Sequence, residues 1–389
     1  MRTLFWCEQF WPNIGGAELF AGRLILALQD RGHEFAVVTR RDSPDLPSRE
    51  SYHGIPIHRL PFWTAAAGRD AERLLEVRRE VAELKRSLQP DLVHLNGFAP
   101  TSAMFHRLTS AIHPAPLLLT LHAIAAWSEA TSDSLLEHTL REAAHVVGCS
   151  EAIVRRARFL APGVTGRSTV IRHGLETPSV PPAALPVDDP RILCLGRLSH
   201  VKGFDVAFRA FASIARRFPR SRLVIAGDGE QRATLEQLAS ELKIRELVDF
   251  LGWIAPEDVP SVINTASLVV APSRTEGFGL AALEAALMAR PVVASDVDGL
   301  PEVVRHEETG ILVPPDDPVA LAGALERLLL DPDGSRRMGS AARSRALAEF
   351  RWGDCVDAYD ALYRGLIAGG AGNAHPQRSA AGTRTAAEE

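Results

Sequence analysis

The segment Thr177-Pro178-Ser179-Val180-Pro181-Pro182-Ala183-Ala184-Leu185-Pro186 cuts this chain into two stretches that repeat one pattern. It is proline-rich and shows neither helical nor strand periodicity, so it reads as a linker. Before it, apolar strand-like runs fall at residues 3–7, 34–39, 55–60, 92–95, 117–121, 146–149 and 169–171. Amphipathic helices lie between several of them, at 17–29 and at 71–87, where Leu74, Leu75, Val77, Val81 and Leu84 form a core-facing stripe among Arg and Glu. After the linker the alternation restarts, with strand-like runs at 192–195, 223–226, 248–251, 268–271 and 291–295. Strand and helix in strict alternation predict a parallel sheet covered by helices. At 389 residues two cores are expected rather than one. The fold class is therefore α/β, with two Rossmann-like, doubly wound domains facing across a cleft. The expected divisions are a first domain at 1–176, a linker at 177–190, a second domain at 191–350, a final helix at 351–368 and a disordered tail at 369–389.

Composition narrows the function classes. With 43 Lys and Arg against 48 Asp and Glu, the net charge of −5 offers no case for nucleic-acid binding, and the acidic excess lies after the linker. Cys7, Cys149, Cys194 and Cys355 are scattered, form no C-x-x-C pair and show no zinc spacing, which points to buried thiols in a reducing cytoplasm. The N-terminal apolar run is too short for a signal peptide, and no stretch approaches the roughly 18 apolar residues of a membrane span. A cytoplasmic protein is expected. The run Arg155-Arg156-Ala157-Arg158-Phe159-Leu160 mixes cations with apolar residues, as either a solvated helix face or a peripheral contact at the inner membrane face would.

In doubly wound sheets ligands bind outside the carboxyl ends of the strands, and the distinctive loops of this chain all follow strands. Gly15-Gly16, ahead of the first helix, suits a phosphate cradle or a plain flexible turn. His122 follows the strand at 117–121 and is either a structural imidazole or a hydrogen-bonding group for a ligand hydroxyl. In the second domain, Arg197 and Lys202 place two cations on one strand-to-helix loop, suited to a diphosphate and equally compatible with a solvated surface. The fullest motif is Ser273-Arg274-Thr275-Glu276-Gly277-Phe278-Gly279-Leu280, with Glu284 in the helix that Leu280 opens. Two carboxylates there bracket a loop whose glycines let backbone N–H groups approach an anion. Asp296-Val297-Asp298 formally matches a metal-binding D-x-D, but alternate strand-end residues point opposite ways and the two cations already offer charge compensation, so no metal site is assigned. Neither G-x-S-x-G nor G-x-x-x-x-G-K-[ST] occurs.

Taken in order, Gly15-Gly16-Ala17-Glu18, Val170-Ile171-Arg172-His173-Gly174, Gly196-Arg197 with Lys202-Gly203, and Glu276-Gly277-Phe278-Gly279 with Glu284 resemble glycosyltransferase family 4. The resemblance implies a GT-B architecture, with the last helix crossing back to the first domain. It implies transfer of a sugar from a UDP- or GDP-linked donor to a hydroxyl acceptor with retention of configuration, with no cofactor or essential metal. Carried over by position, it gives Arg197 and Lys202 the diphosphate, Glu284 the ribose hydroxyls and Glu276 the donor sugar. Gly277, Phe278, Gly279 and Leu280 would place backbone near sugar and phosphate, His122 would stand near the reacting carbon, and Gly15 and Gly16 near phosphate and acceptor. Asp298 stands where many relatives have glycine, and His173 where Asn is frequent. An epimerase or hydrolase on the same scaffold, or a non-catalytic sugar-nucleotide binder, are the alternative readings.

Overall fold

A computed structural model describes residues 1–12, 15–41, 43, 45–68, 70–123 and 134–370. The strands of the first half are β1 (Arg2–Trp6), β2 (Glu34–Arg40), β3 (Arg49–Tyr52), β4 (Ile55–Leu60), β5 (Leu92–Asn96), β6 (Leu117–Leu121), β7 (His145–Gly148) and β8 (Ser168–Val170). They form one sheet in the order β3-β4-β2-β1-β5-β6-β7-β8. Only the β3–β4 pair is antiparallel. The second half contributes β9 (Arg191–Leu195), β10 (Arg222–Ala226), β11 (Val248–Gly252), β12 (Leu268–Ala271), β13 (Val292–Ser295) and β14 (Gly310–Val313). These make a second, fully parallel sheet in the order β11-β10-β9-β12-β13-β14.

The central strands are buried along their whole length, as in β5 and β6, because helices cover both faces. That burial produces continuous Leu and Val runs rather than alternation. β3 lacks the signal entirely. Its Arg-Glu-Ser-Tyr sequence sits half-exposed at the sheet edge and is held by a two-residue turn, His53-Gly54, with φ of 48° and 85°. Both turn residues take the left-handed conformation that matches hairpin twist.

The helix over Ala71–Leu88 buries Val77, Val81, Ala82 and Lys85, while Leu74 and Leu84 pack at the margin. Leu75, expected in that stripe, is 48% exposed. It lies two residues from Val77, a step that turns it off the buried face.

The final helix, Trp352–Gly370, begins beside the second domain and lies on the first. Its Tyr359 and Tyr363 are fully buried among Phe5, Phe35 and Ile57. Tyr363 hydroxyl bonds His94 Nδ1 at 2.6 Å, and Asp360 meets His33 Nε2 at 2.6 Å. The helix extends through Gly369 and Gly370, which were expected in the tail; residues 371–389 lie outside the described residues. Among the described residues no helix is long and apolar enough to cross a membrane.

Candidate active site

The carboxyl ends of both sheets face each other, and their loops touch. On the first-domain side, Gly15 precedes the helix Gly16–Gln29. A side chain at Gly15 would press on Glu18 Oε2 and on Arg197 Nη2 from the opposite domain, and one at Gly16 would meet Leu280. The closest approach is at Gly277. A Cβ there would overlap the carbonyl oxygen of His122, so only glycine permits this contact.

His122 leaves the end of β6 beside Asn96, the last residue of β5. Its Nε2 lies 2.9 Å from Asn96 Oδ1, and its Nδ1 lies 3.3 Å from His173 Nε2. With Asn96 Oδ1 as acceptor, His122 carries its proton on Nε2 and accepts at Nδ1 from His173 Nε2–H. His173 Nδ1 is then a bare lone pair, in keeping with its lack of a hydrogen-bond partner. Phe20 packs on His173 at 4.1 Å between centroids, and Phe278 meets it edge-on at 5.3 Å. Burial pushes His122 down to about 4 and takes His173 well below the usual imidazole range, with His122 adding to the latter effect. Both rings are therefore neutral at neutral pH. Beside them a cavity of about 170 Å³ is lined by Glu8, Glu18, Asn96, Gly97, Phe98 and His122.

On the second-domain side, Lys202 Nζ donates to Glu276 Oε2 at 2.6 Å, and Ser273 Oγ donates to the same oxygen at 3.2 Å. Arg197 is exposed and forms no ion pair among the described residues. Arg274, in the same motif, does not join the site. It is occupied by Asp205 at 2.8 and 2.9 Å, by Asp316 at 2.7 Å and by the His200 carbonyl. Gly279, at φ 108°, turns the chain into the helix Leu280–Leu287, and the Phe278 side chain is buried beneath it. Glu284 lies one turn into that helix. Desolvation in the cleft raises its carboxyl to about 7, against the pull of Arg23 and Lys202, although part of its surface still faces the opening.

Asp298 adopts φ 46°, and its Oδ2 accepts from the Glu276 backbone N–H at 3.1 Å. The left-handed backbone accounts for a position that glycine also suits, and the side chain serves as a brace for Glu276. Asp296 is exposed. Among the described residues the grouping with metal-ligand character is instead His122, Cys149 and His173.

The comparisons with known proteins match this arrangement half by half. Residues 14–178 match the model described as Glycosyltransferase Family 4, and residues 179–345 match Glycosyl transferases group 1. The glycogen synthase of Mycobacterium tuberculosis (strain ATCC 25618 / H37Rv) is 30% identical over 411 residues, covering 97% of each chain. The chain belongs to glycosyltransferase family 4. Among solved structures, the sucrose-phosphate synthase of Thermosynechococcus elongatus superposes on this glycosyltransferase with a TM-score of 0.81, at 26% identity over 95% of this chain and 99% of that one. Anabaena HepE, solved in complex with UDP-glucose, shares the fold with a TM-score of 0.74, at 23% identity over 95% and 100% of the two chains. The GT-B architecture of the glycosyltransferase is thereby established.

The structure brings His122, Gly15, Gly16, Arg197, Lys202, Glu276, Gly277, Phe278, Gly279, Leu280 and Glu284 to one cleft. Sequence reasoning missed Asn96, Arg23 and the bracing by Asp298 and Ser273. Asn96 ends a strand next to Gly97, so the strand-end rule alone could have flagged it. Arg23 could not be flagged, since it sits mid-helix in another domain from its partner Glu284. Glu302, in the short helix Leu300–Val303, crosses the interface. Its Oε1 accepts from Glu151 N at 2.6 Å and its Oε2 from Arg172 Nε at 2.9 Å. In the helix Glu151–Leu160, Arg158 turns to Ser168 at 2.9 Å, while Phe159 stands 74% exposed with Arg156 over its ring.

Proposed function

We propose that this glycosyltransferase moves a sugar from a nucleoside diphosphate sugar to a hydroxyl acceptor with retention of anomeric configuration. The observation that carries the reading is the spacing of charge along the second-domain wall. Arg197 and Lys202 lie on one strand-to-helix loop, where they would take the diphosphate, with Glu276 tied to Lys202 and Glu284 one helical turn into the helix Leu280–Leu287. A diphosphate would take Lys202 from Glu276, freeing that carboxylate to accept hydroxyls of the sugar. Glu284, once ionised, would accept both ribose hydroxyls. HepE, which has the same fold, is solved with UDP-glucose, which supports a donor of this class.

In the step proposed, the bond from the anomeric carbon to the phosphate oxygen breaks while the acceptor oxygen bonds the same face. The acceptor proton passes to the departing phosphate oxygen. Negative charge grows on the diphosphate, where Arg197, Lys202 and the N-terminus of the helix Leu280–Leu287 stabilise it more than they stabilise the ground state. His122 is uncharged at neutral pH, so its part is to orient the sugar rather than to supply a proton. The Gly277 loop touches His122, and that contact would exclude water from the reacting carbon.

A thermal-shift panel of nucleotide sugars tests the binding, since a true donor at about 100 times its Kd adds about 2.7 kcal/mol of stability. Nucleotide release with and without candidate acceptors tests the transfer. A panel without a responder, or release that no acceptor accelerates, would overturn the proposal.

A further inference from the structure

Below the contact between the domains, three first-domain side chains present ligand atoms to one space. His122 Nδ1 and His173 Nε2 are 3.3 Å apart, and with Cys149 Sγ all three atoms lie within 4.8 Å of one another. Zinc–nitrogen bonds of about 2.0–2.1 Å in tetrahedral geometry set two nitrogens about 3.3–3.4 Å apart, the separation seen here. A thiolate at about 2.3 Å from the same ion sits about 3.6 Å from each nitrogen, a distance within a side-chain rotation for Cys149. The present partners of that thiol are the carbonyl oxygens of Gly277 at 3.4 Å and His122 at 3.7 Å. The S–H group is a weak donor to both, so little opposes the movement.

We propose that His122, Cys149 and His173 form an inhibitory site for a thiophilic divalent cation of the zinc class. Imidazole and thiolate together select such an ion over magnesium or calcium. One thiolate and two neutral imidazoles leave a single positive charge on the complex, and Glu276 and Glu302 lie near enough to Cys149 to act on it. His122 lines the cavity in the cleft, which gives the ion its path. On binding, the Cys149 S–H proton leaves to the buffer as the sulfur–metal bond forms, and the His173 proton moves from Nε2 to its unpartnered Nδ1. The inhibition rests on the orienting role proposed for His122, because a metal on Nδ1 draws the ring away from the donor sugar.

Cobalt(II), added to full-length protein freed of metal by a chelator, reads the site without any donor or acceptor. One equivalent giving a sulfur-to-cobalt charge-transfer band that zinc abolishes is the expected result. Cys149→Ala should lose the band and weaken zinc binding by about tenfold or more, and His173→Asn should weaken it comparably. Wild-type transfer should fall in zinc and recover with chelator, while Cys149→Ala transfers at the wild-type rate and resists zinc. Circular dichroism establishes that both variants are folded. A cobalt spectrum without the band, or unchanged zinc affinity in Cys149→Ala, overturns the site. Cobalt binding with transfer undiminished overturns the inhibition. Absence of transfer with every donor would instead refute the proposed function and leave the cobalt result standing.

Discussion

Replacing Glu284 by Gln should make the unliganded enzyme more stable in alkaline buffer. The carboxyl is raised to about 7 from an ordinary value of 4.5, so the folded state holds its proton more tightly than the unfolded chain does. A group shifted in this direction costs nothing below the unfolded value, costs progressively more as pH rises between the two values, and costs its full amount above the folded one. At 1.36 kcal/mol per unit, the shift amounts to about 3 kcal/mol near pH 8 and under about 1 kcal/mol near pH 5. Gln keeps the volume and removes the charge. Differential scanning calorimetry of the ligand-free proteins should therefore show Glu284→Gln melting several degrees above wild type near pH 8, with the gap closing on acidification. If Glu284 holds the ribose as proposed, nucleotide should reverse the ranking, since the carboxylate would accept more strongly than an amide from both ribose hydroxyls. A gap of the same size at both pH values, or none near pH 8, would refute the assignment of a strained carboxylate to this position.

Lys202→Ala should lower kcat/KM for donor by about 10²–10³, as removal of a charge that acts on the leaving group does; a loss below tenfold in nucleotide-release assays would contradict that role. Gly277→Ala should leave the fold and nucleotide binding intact but cut transfer by about 10², because its Cβ holds the loop off His122 by roughly an ångström. Glu302→Gln weakens the contacts to Glu151 N and Arg172, and small-angle scattering should then report a more open molecule; an unchanged radius of gyration would show that the domains are held otherwise.

The fold was legible because its central strands are buried on both faces, which writes them as uninterrupted apolar runs between helices. Two strands escaped. β3 is polar and lies at an edge, so it carries no apolar run, whereas the Ile311-Leu312-Val313 run of β14 was there to be read and was passed over. The residues of the site were legible where a motif holds them within a few positions, as around Gly277. Partnerships were not. That Arg274 would be consumed by Asp205 and Asp316, while Arg197 in a similar loop has no ion pair among the described residues, depends on side chains far apart in sequence. The buried tyrosines of the last helix escaped for the same reason, since only the returning chain brings them to His94 and Thr120.

That returning helix also orders how the molecule can be made. The first domain leaves the ribosome with a bare trough along Phe5, Phe35 and His94, and the segment that fills it is synthesised only after the whole second domain. Until Tyr363 emerges, the second domain can complete its own sheet, but the first must wait with the face that Tyr359 and Tyr363 cover still wet. Severing the chain at the proline linker would thus fail to yield two halves, because the first domain stores part of its interior on the other side of the second.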